Sequence, residues 1–210
     1  MKKIIQIIFS LLSIVIGLYP LAYLFNLSEF GLFFSKNIEI LSSVIWNISF
    51  YSHIIPGGIA LLIGWIQFND NIRSSKPKLH KTIGKIYVLT VLISGISGIY
   101  IGFFATGGVI SSLGFIALAI LWMYTTSIAF WYAKTLKIHL HQTMMYYSYA
   151  ACFAAVTLRI WLPFLVMSIG DFIVAYRIVA WLCWVPNLIV AYYLVRRIKH
   201  KFVVNQNANL

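Results

Sequence analysis

The sequence predicts an all-α integral membrane protein, a bundle of six transmembrane helices, on three observations. Of the 210 residues 61% are apolar and 10% charged, more apolar surface than a water-soluble domain of this length hides in one core. Apolar runs recur near the ~20 residues that cross ~30 Å of hydrocarbon. The lysines and arginines fall between those runs, concentrated in alternate connections, as membrane topology requires.

The first run, 4–25, follows Lys2 and Lys3 and so begins like a signal peptide. It is longer than a signal-peptide apolar region and lacks an A-x-A-like cleavage site, so it reads as a span. Glu29, Lys36 and Glu39 lie in the connection to the second run, 44–66. The next connection is polar and carries Arg73, Lys76, Pro77, Lys78 and Lys81, a solvated loop facing lipid headgroups. The third run is 83–104, with Lys85 at its start, and the fourth is 109–132, followed by Lys134 and Lys137. After the fifth, 144–167, comes Asp171, and after the sixth, 172–195, come Arg196, Arg197, Lys199 and Lys201. Every lysine and arginine except Lys36, Arg159 and Arg177 thus falls on one side, which the positive-inside rule makes cytoplasmic, with both chain ends there. Residues 1–204 form one bundle, with no internal repeat, and 205–210 read as a polar, disordered tail.

A net charge of +12 raises nucleic-acid binding, but bases confined to loops between spans describe membrane orientation, and no nucleic-acid partner is expected. Cys152 and Cys183 sit in apolar runs without CxxC or CxxCH spacing, which excludes a disulfide framework, a zinc knuckle and covalent haem. No HExxH, GxSxG, Walker or dinucleotide-turn sequence occurs, and no span carries Asp or Glu. Carboxylate-driven proton coupling and metalloprotease chemistry are therefore not expected.

An ionisable side chain at the centre of a transmembrane helix costs ~2.5 kcal/mol or more, so each one retained marks a candidate site. His53 lies near the middle of the second span, above Gly57, Ala60 and Gly64 on one helical face. That face reads either as a groove for a flat cofactor ligated through the imidazole, or as close helix packing with a satisfied histidine. His80 and His141 stand at the cytoplasmic starts of the third and fifth spans, close enough in depth to approach one another. His141, Met145, Ser148, Cys152, Ala155 and Arg159 share a stripe, which suits a helix facing a cofactor or a narrow path; Arg159 also has the alternatives of snorkelling or pairing with Asp171. Ser94, Gly98 and Gly102 on the third span form a small-residue face for close packing. On the sixth span Arg177, Trp181 and Trp184, followed by Pro186 and Asn187, read either as an interfacial anchor with a proline kink or as a pocket for an anionic or quinone-like ligand.

Several of these pieces occur together: His53 with Pro56, Gly57 and Gly58; Leu79-His80-Lys81 with Gly84-Lys85-Ile86-Tyr87; Gly107 and Gly108 with Gly114 and Phe115; His141 with Met144 and Met145; Thr157-Leu158-Arg159; and the run from Trp181 to Asn187. In combination they resemble the bacterial membrane-protein family catalogued as domain of unknown function 2306, from about His53 to Tyr192. That family usually reads Arg-Arg-Trp-Met after the fifth-span histidine, where this chain has Gln142-Thr143-Met144-Met145. The resemblance implies the bacterial cytoplasmic (inner) membrane. A looser similarity is to membrane cytochromes of the b561 and ferric-reductase type. It implies haem b with His53, His80 and His141 as iron ligands and Arg159 or Arg177 near propionates or a quinone.

The leading expectation is a haem- or quinone-linked membrane redox protein whose cofactor-binding residues are His53, His80, His141, Arg159, Arg177, Trp184 and Asn187. The alternatives are a carrier or channel for a small organic or anionic solute, and a non-catalytic membrane assembly subunit. Catalytic residues are not assigned.

Overall fold

The computed structural model describes residues 2–24 and 35–207. Phe25, Glu29 and residues 208–210 lie outside the described residues, as do the side chains of Lys2, Lys3, Lys199, His200 and Lys201. Among the described residues every regular element is a helix: α1 Lys2–Gly17, α2 Pro20–Leu24, α3 Ile38–Ser42, α4 Val44–Gly64, α5 Asp70–Ser75, α6 Pro77–Gly102, α7 Val109–Lys134, α8 Ile138–Cys152, α9 Ala154–Ile169, α10 Phe172–Leu182 and α11 Val185–Asn207. A 3-10 turn, Trp65–Phe68, follows α4.

Local chemistry sets these limits. Ser43 Oγ accepts from Trp46 N at the start of α4, Asn69 Oδ1 caps α5, and Asp171 accepts from Ile173 N and Val174 N to open α10. Pro77 occupies the first turn of α6, where its missing N–H is not needed. Helices α6 and α8 begin at Pro77 and Ile138, ahead of the apolar runs expected from 83 and 144. The apolar run measures hydrocarbon depth, whereas the helix continues into the headgroup layer. The fifth run is divided at Phe153 between α8 and α9, and the sixth at Cys183 and Trp184, just before Pro186, whose ring and missing N–H disfavour an unbroken turn.

Five stretches are long and apolar enough to cross a membrane: Val44–Phe68, Pro77–Gly102, Val109–Lys134, Ile138–Ile169 and Phe172–Arg197. The N-terminal segment contributes a shorter apolar helical stretch, Ile7–Tyr23. Large apolar side chains such as Ile45, Leu89, Leu113 and Phe164 point outward from the bundle, as they do when the surrounding solvent is lipid. The connections 65–76 and 135–137 lie at one end, which is rich in lysine, and 103–108 and 170–171 lie at the other.

Without water to take up stray donors, the polar groups between the helices bond to one another. Tyr87 Oη and Ser148 Oγ are 2.9 Å apart, Ser148 Oγ and Thr126 Oγ1 are 2.6 Å apart, and Trp122 Nε1 donates to Tyr87 Oη at 3.3 Å. Tyr149 Oη donates to Leu61 O at 2.9 Å, tying α8 to α4. Among the described residues the one salt bridge joins Arg73 to Asp70 at 2.7 Å, at the lysine-rich end.

Candidate functional site

The ten residues from Ile160 to Ile169 on α9 and the nine from Val44 to Ser52 on α4 set Arg159 and His53 about 13–15 Å below the end of the bundle that carries residues 103–108. Both side chains line a cavity of about 540 Å³ walled by α1, α4, α6, α7, α9 and α10. Most of the wall is apolar, from Trp46 and Phe50 to Leu118, Ala119 and Trp122. That volume lies within the ~300–1,000 Å³ of small-molecule sites.

His53 is held by its backbone neighbour across α6. Its Nδ1 donates to Ser94 O at 2.8 Å, and Ser94 Oγ donates to His53 O at 2.8 Å. A carbonyl only accepts, so Nδ1 carries a proton, and in the neutral ring Nε2 keeps its lone pair. Nε2 can accept from a hydroxyl or a protonated acid, or take up a proton. The approach depends on Gly98, because a Cβ there would stand 2.8 Å from His53 Nδ1. The small-residue face of α6 thus seats this histidine as well as packing helices.

Arg159 Nη1 donates to Ala155 O at 2.8 Å, and the guanidinium carbon lies 4.2 Å from the centroid of the Tyr19 ring. Its Nε is buried with no hydrogen-bond partner among the described residues. Asp171 makes no salt bridge with it; that carboxylate caps α10. Nearer the end of the bundle, Lys36 also lines the cavity. Its Nζ donates to Phe104 O and, at 3.1 Å, to Thr106 Oγ1, while Ser35 Oγ lies 3.1 Å from the same hydroxyl. These bonds fasten the segment before α3 across the loop between α6 and α7. Burial pushes the Lys36 ammonium down to about 8. Among the described lining residues Lys36 and Arg159 are the lysine and arginine, and none is Asp or Glu.

The other expected site residues do not join this cavity. His80 and His141 lie within electrostatic reach of each other at the lysine-rich end. His141 Nδ1 donates to Ala129 O at 2.9 Å; His80 Nδ1 and Gln67 Nε2 are buried without a partner among the described residues. Fourteen residues of α6 separate His80 from Ser94, about 21 Å along the axis. Arg177 is exposed, and its Nε donates to Gly107 O at 2.7 Å, holding a loop whose glycine has φ of 94°. Trp184 Nε1 donates to Ala180 O at 2.8 Å, and Asn187 Nδ2 bonds Ala150 O, Thr157 Oγ1 and Cys183 O, bracing the break before Pro186.

The cavity does not fit a haem held between His53 and either of the other two histidines. Among the described lining residues His53 is the one histidine, and His80 and His141 stand far down the bundle. Of the face expected as a groove beneath His53, Gly57 lines the cavity, whereas Gly64 is closed off by the Tyr149 and Tyr87 rings. Among the described residues no group of three or more His, Cys, Asp or Glu is arranged to hold a metal ion.

Sequence reasoning passed over Tyr19, Tyr23, Trp46, Trp122 and Tyr176 as wall residues, and placed Lys36 only in a connection. One signal was present: Trp46, Phe50, His53 and Gly57 recur at helical spacing on one face of α4.

Residues 50–195 match the model of the family described as predicted membrane protein (DUF2306). The chain belongs to this family. No curated protein and no solved structure matches it. The matched region carries His53 and Arg159, whereas Tyr19, Tyr23, Lys36 and Trp46 lie before it. One wall of the cavity is thus built by family sequence and another by the N-terminal segment.

Proposed function

We propose that this protein binds a small organic anion inside the membrane, as a carrier, from a six-span bundle whose two ends are cytoplasmic in the bacterial inner membrane. The observation that carries the reading is the charge of the cavity: Arg159 and Lys36 line it, and no carboxylate among the described residues answers them. A buried guanidinium without a counter-ion costs several kcal/mol. An anionic occupant offsets that cost through charge-assisted bonds, and the apolar walls accept its organic body. The sixth span is the N-terminal segment, and the orientation follows from lysines and arginines gathered at one end. In proteoliposomes, uptake of an organic carboxylate is expected to fall at least about tenfold in Arg159→Gln, as loss of one charged partner implies. Equal uptake by protein-free vesicles, or full uptake by the variant, overturns the reading.

A second reading, a quinone-type ligand in redox service, is favoured by His53, whose Nε2 is an acceptor in a cavity lined by tyrosine and tryptophan rings. A ring hydroxyl would donate to Nε2 and a ring oxygen would accept from Arg159. Quinol oxidation dependent on His53, followed anaerobically by ultraviolet absorbance, tests it; no turnover with a short-tailed quinol removes it.

A further inference from the structure

We propose that the cavity takes a single-chain amphiphile, one acyl or alkyl chain ending in an oxyanion, with its head between Arg159 and Lys36 and its tail directed toward Trp122 and Cys152. This rests on the anion reading above and adds the tail.

The cavity is graded along its length. Lys36 stands toward the end carrying residues 103–108, Arg159, His53, Leu118 and Ala119 share the middle, and below them the lining residues include Trp122, Ala151 and Cys152. Arg159 stands five residues of α9, about 7–8 Å, beyond Ala154, and Cys152 ends α8 on the other side of the break at Phe153. That lower part offers an occupant little hydrogen bonding, because the Trp122 indole is already given to Tyr87 and the Tyr87 hydroxyl to Ser148. A compact hydrophilic anion would fill the middle and leave apolar wall facing trapped water, which is unfavourable. A chain attached to the head removes that wall from water.

Volume limits the chain. A cavity of about 540 Å³ falls in the range of sites for a single small molecule, which suits one chain with its head better than a two-chain phospholipid. The oxyanion is a carboxylate or a phosphate monoester, from a free acid or from a lipid breakdown product.

The test is a chain-length series on the purified full-length protein in detergent: straight-chain carboxylates from acetate upward, the matching alkyl phosphates, and the matching alcohols. Binding is measured by titration calorimetry with free ligand corrected for micelle partition. Each added methylene is expected to tighten binding about fourfold until the lower cavity is full, after which the gain stops. Arg159→Gln is expected to weaken every acid at least tenfold and to leave the alcohols unchanged. Ala151→Leu, which adds bulk to the wall of the lower cavity, is expected to move the stop to a shorter chain, and it keeps the proposal testable if Arg159→Gln fails to fold. Whichever acid series binds more tightly identifies the source of the head. If acetate and inorganic phosphate bind as tightly as the long members, the tail is wrong and the anion reading stands. If acids bind no better than alcohols and ignore Arg159→Gln, the anion reading falls too. A gain that never stops, or a stop unmoved by Ala151→Leu, overturns the proposed position of the chain.

Discussion

His53 and Gly98 form a pair in which one residue exists in its place because the other has no side chain. A Cβ at position 98 would stand 2.8 Å from His53 Nδ1, where the imidazole cannot retreat without giving up Ser94 O. Gly98→Ala is therefore expected to lower stability by about 1–3 kcal/mol and to weaken anion binding, whereas alanine at the exposed Ile96 leaves both unchanged. Thermal unfolding and calorimetry on the same preparations check this. Lys36 gives a pH dependence of definite sign. Its ammonium is pushed down to about 8 by burial, and a bound anion raises that value, so the complex holds more protons than the free protein. Affinity is then constant below about pH 8 and declines as pH rises beyond it. Lys36→Met is expected to abolish this decline, and an unchanged profile in the variant would assign the titration to another group.

At the scale of elements, the two broken spans matter most. α8 passes into α9 at Phe153, and α10 into α11 at Cys183 and Trp184, and the breaks are braced against each other by Asn187 and Thr157. The loop between α6 and α7 is held differently, by Arg177 through Gly107 O. Arg177→Ala is expected to cost about 1 kcal/mol, an exposed charged hydrogen bond, and to speed amide exchange in 103–108 while the α4 core is unaffected. The existence of the helices was legible in the sequence because composition, span length and the placement of bases depend on the solvent rather than on partners. The break at Pro186 was legible because proline carries its own backbone constraint. The break at Phe153 was not, because no residue there forbids a helix. The same division runs through the site. His53 and Arg159 stood out as ionisable groups at membrane depth, but whether they meet depends on how helices far apart in sequence pack. Lys36 looked like an ordinary loop lysine, since only the folded chain brings Thr106 beside it. His80, His141, Arg177 and Asn187 stood out equally, although Arg177 and Asn187 serve to hold connections.

For the whole molecule, the lysine-rich end and the opposite end are separated by five long apolar stretches, so orientation has a direct readout. Cys152 and Cys183 are buried and give little background to a water-soluble maleimide. Lys134→Cys is expected to be labelled only after the membrane is permeabilised, and Val109→Cys from the outside of intact cells. The reverse pattern would invert the orientation given by the charges.

The division of the cavity wall at the edge of the family match has a practical consequence. His53 and Arg159 belong to the shared body, whereas Tyr19, which stacks on Arg159, and Lys36, which fastens the mouth, belong to the segment before it. The N-terminal segment can therefore be treated as an exchangeable module. Chimaeras that join the first 49 residues of one family member to the body of another would swap the stacking ring and the fastening cation together, altering ligand selectivity while leaving the His53–Ser94 clasp intact.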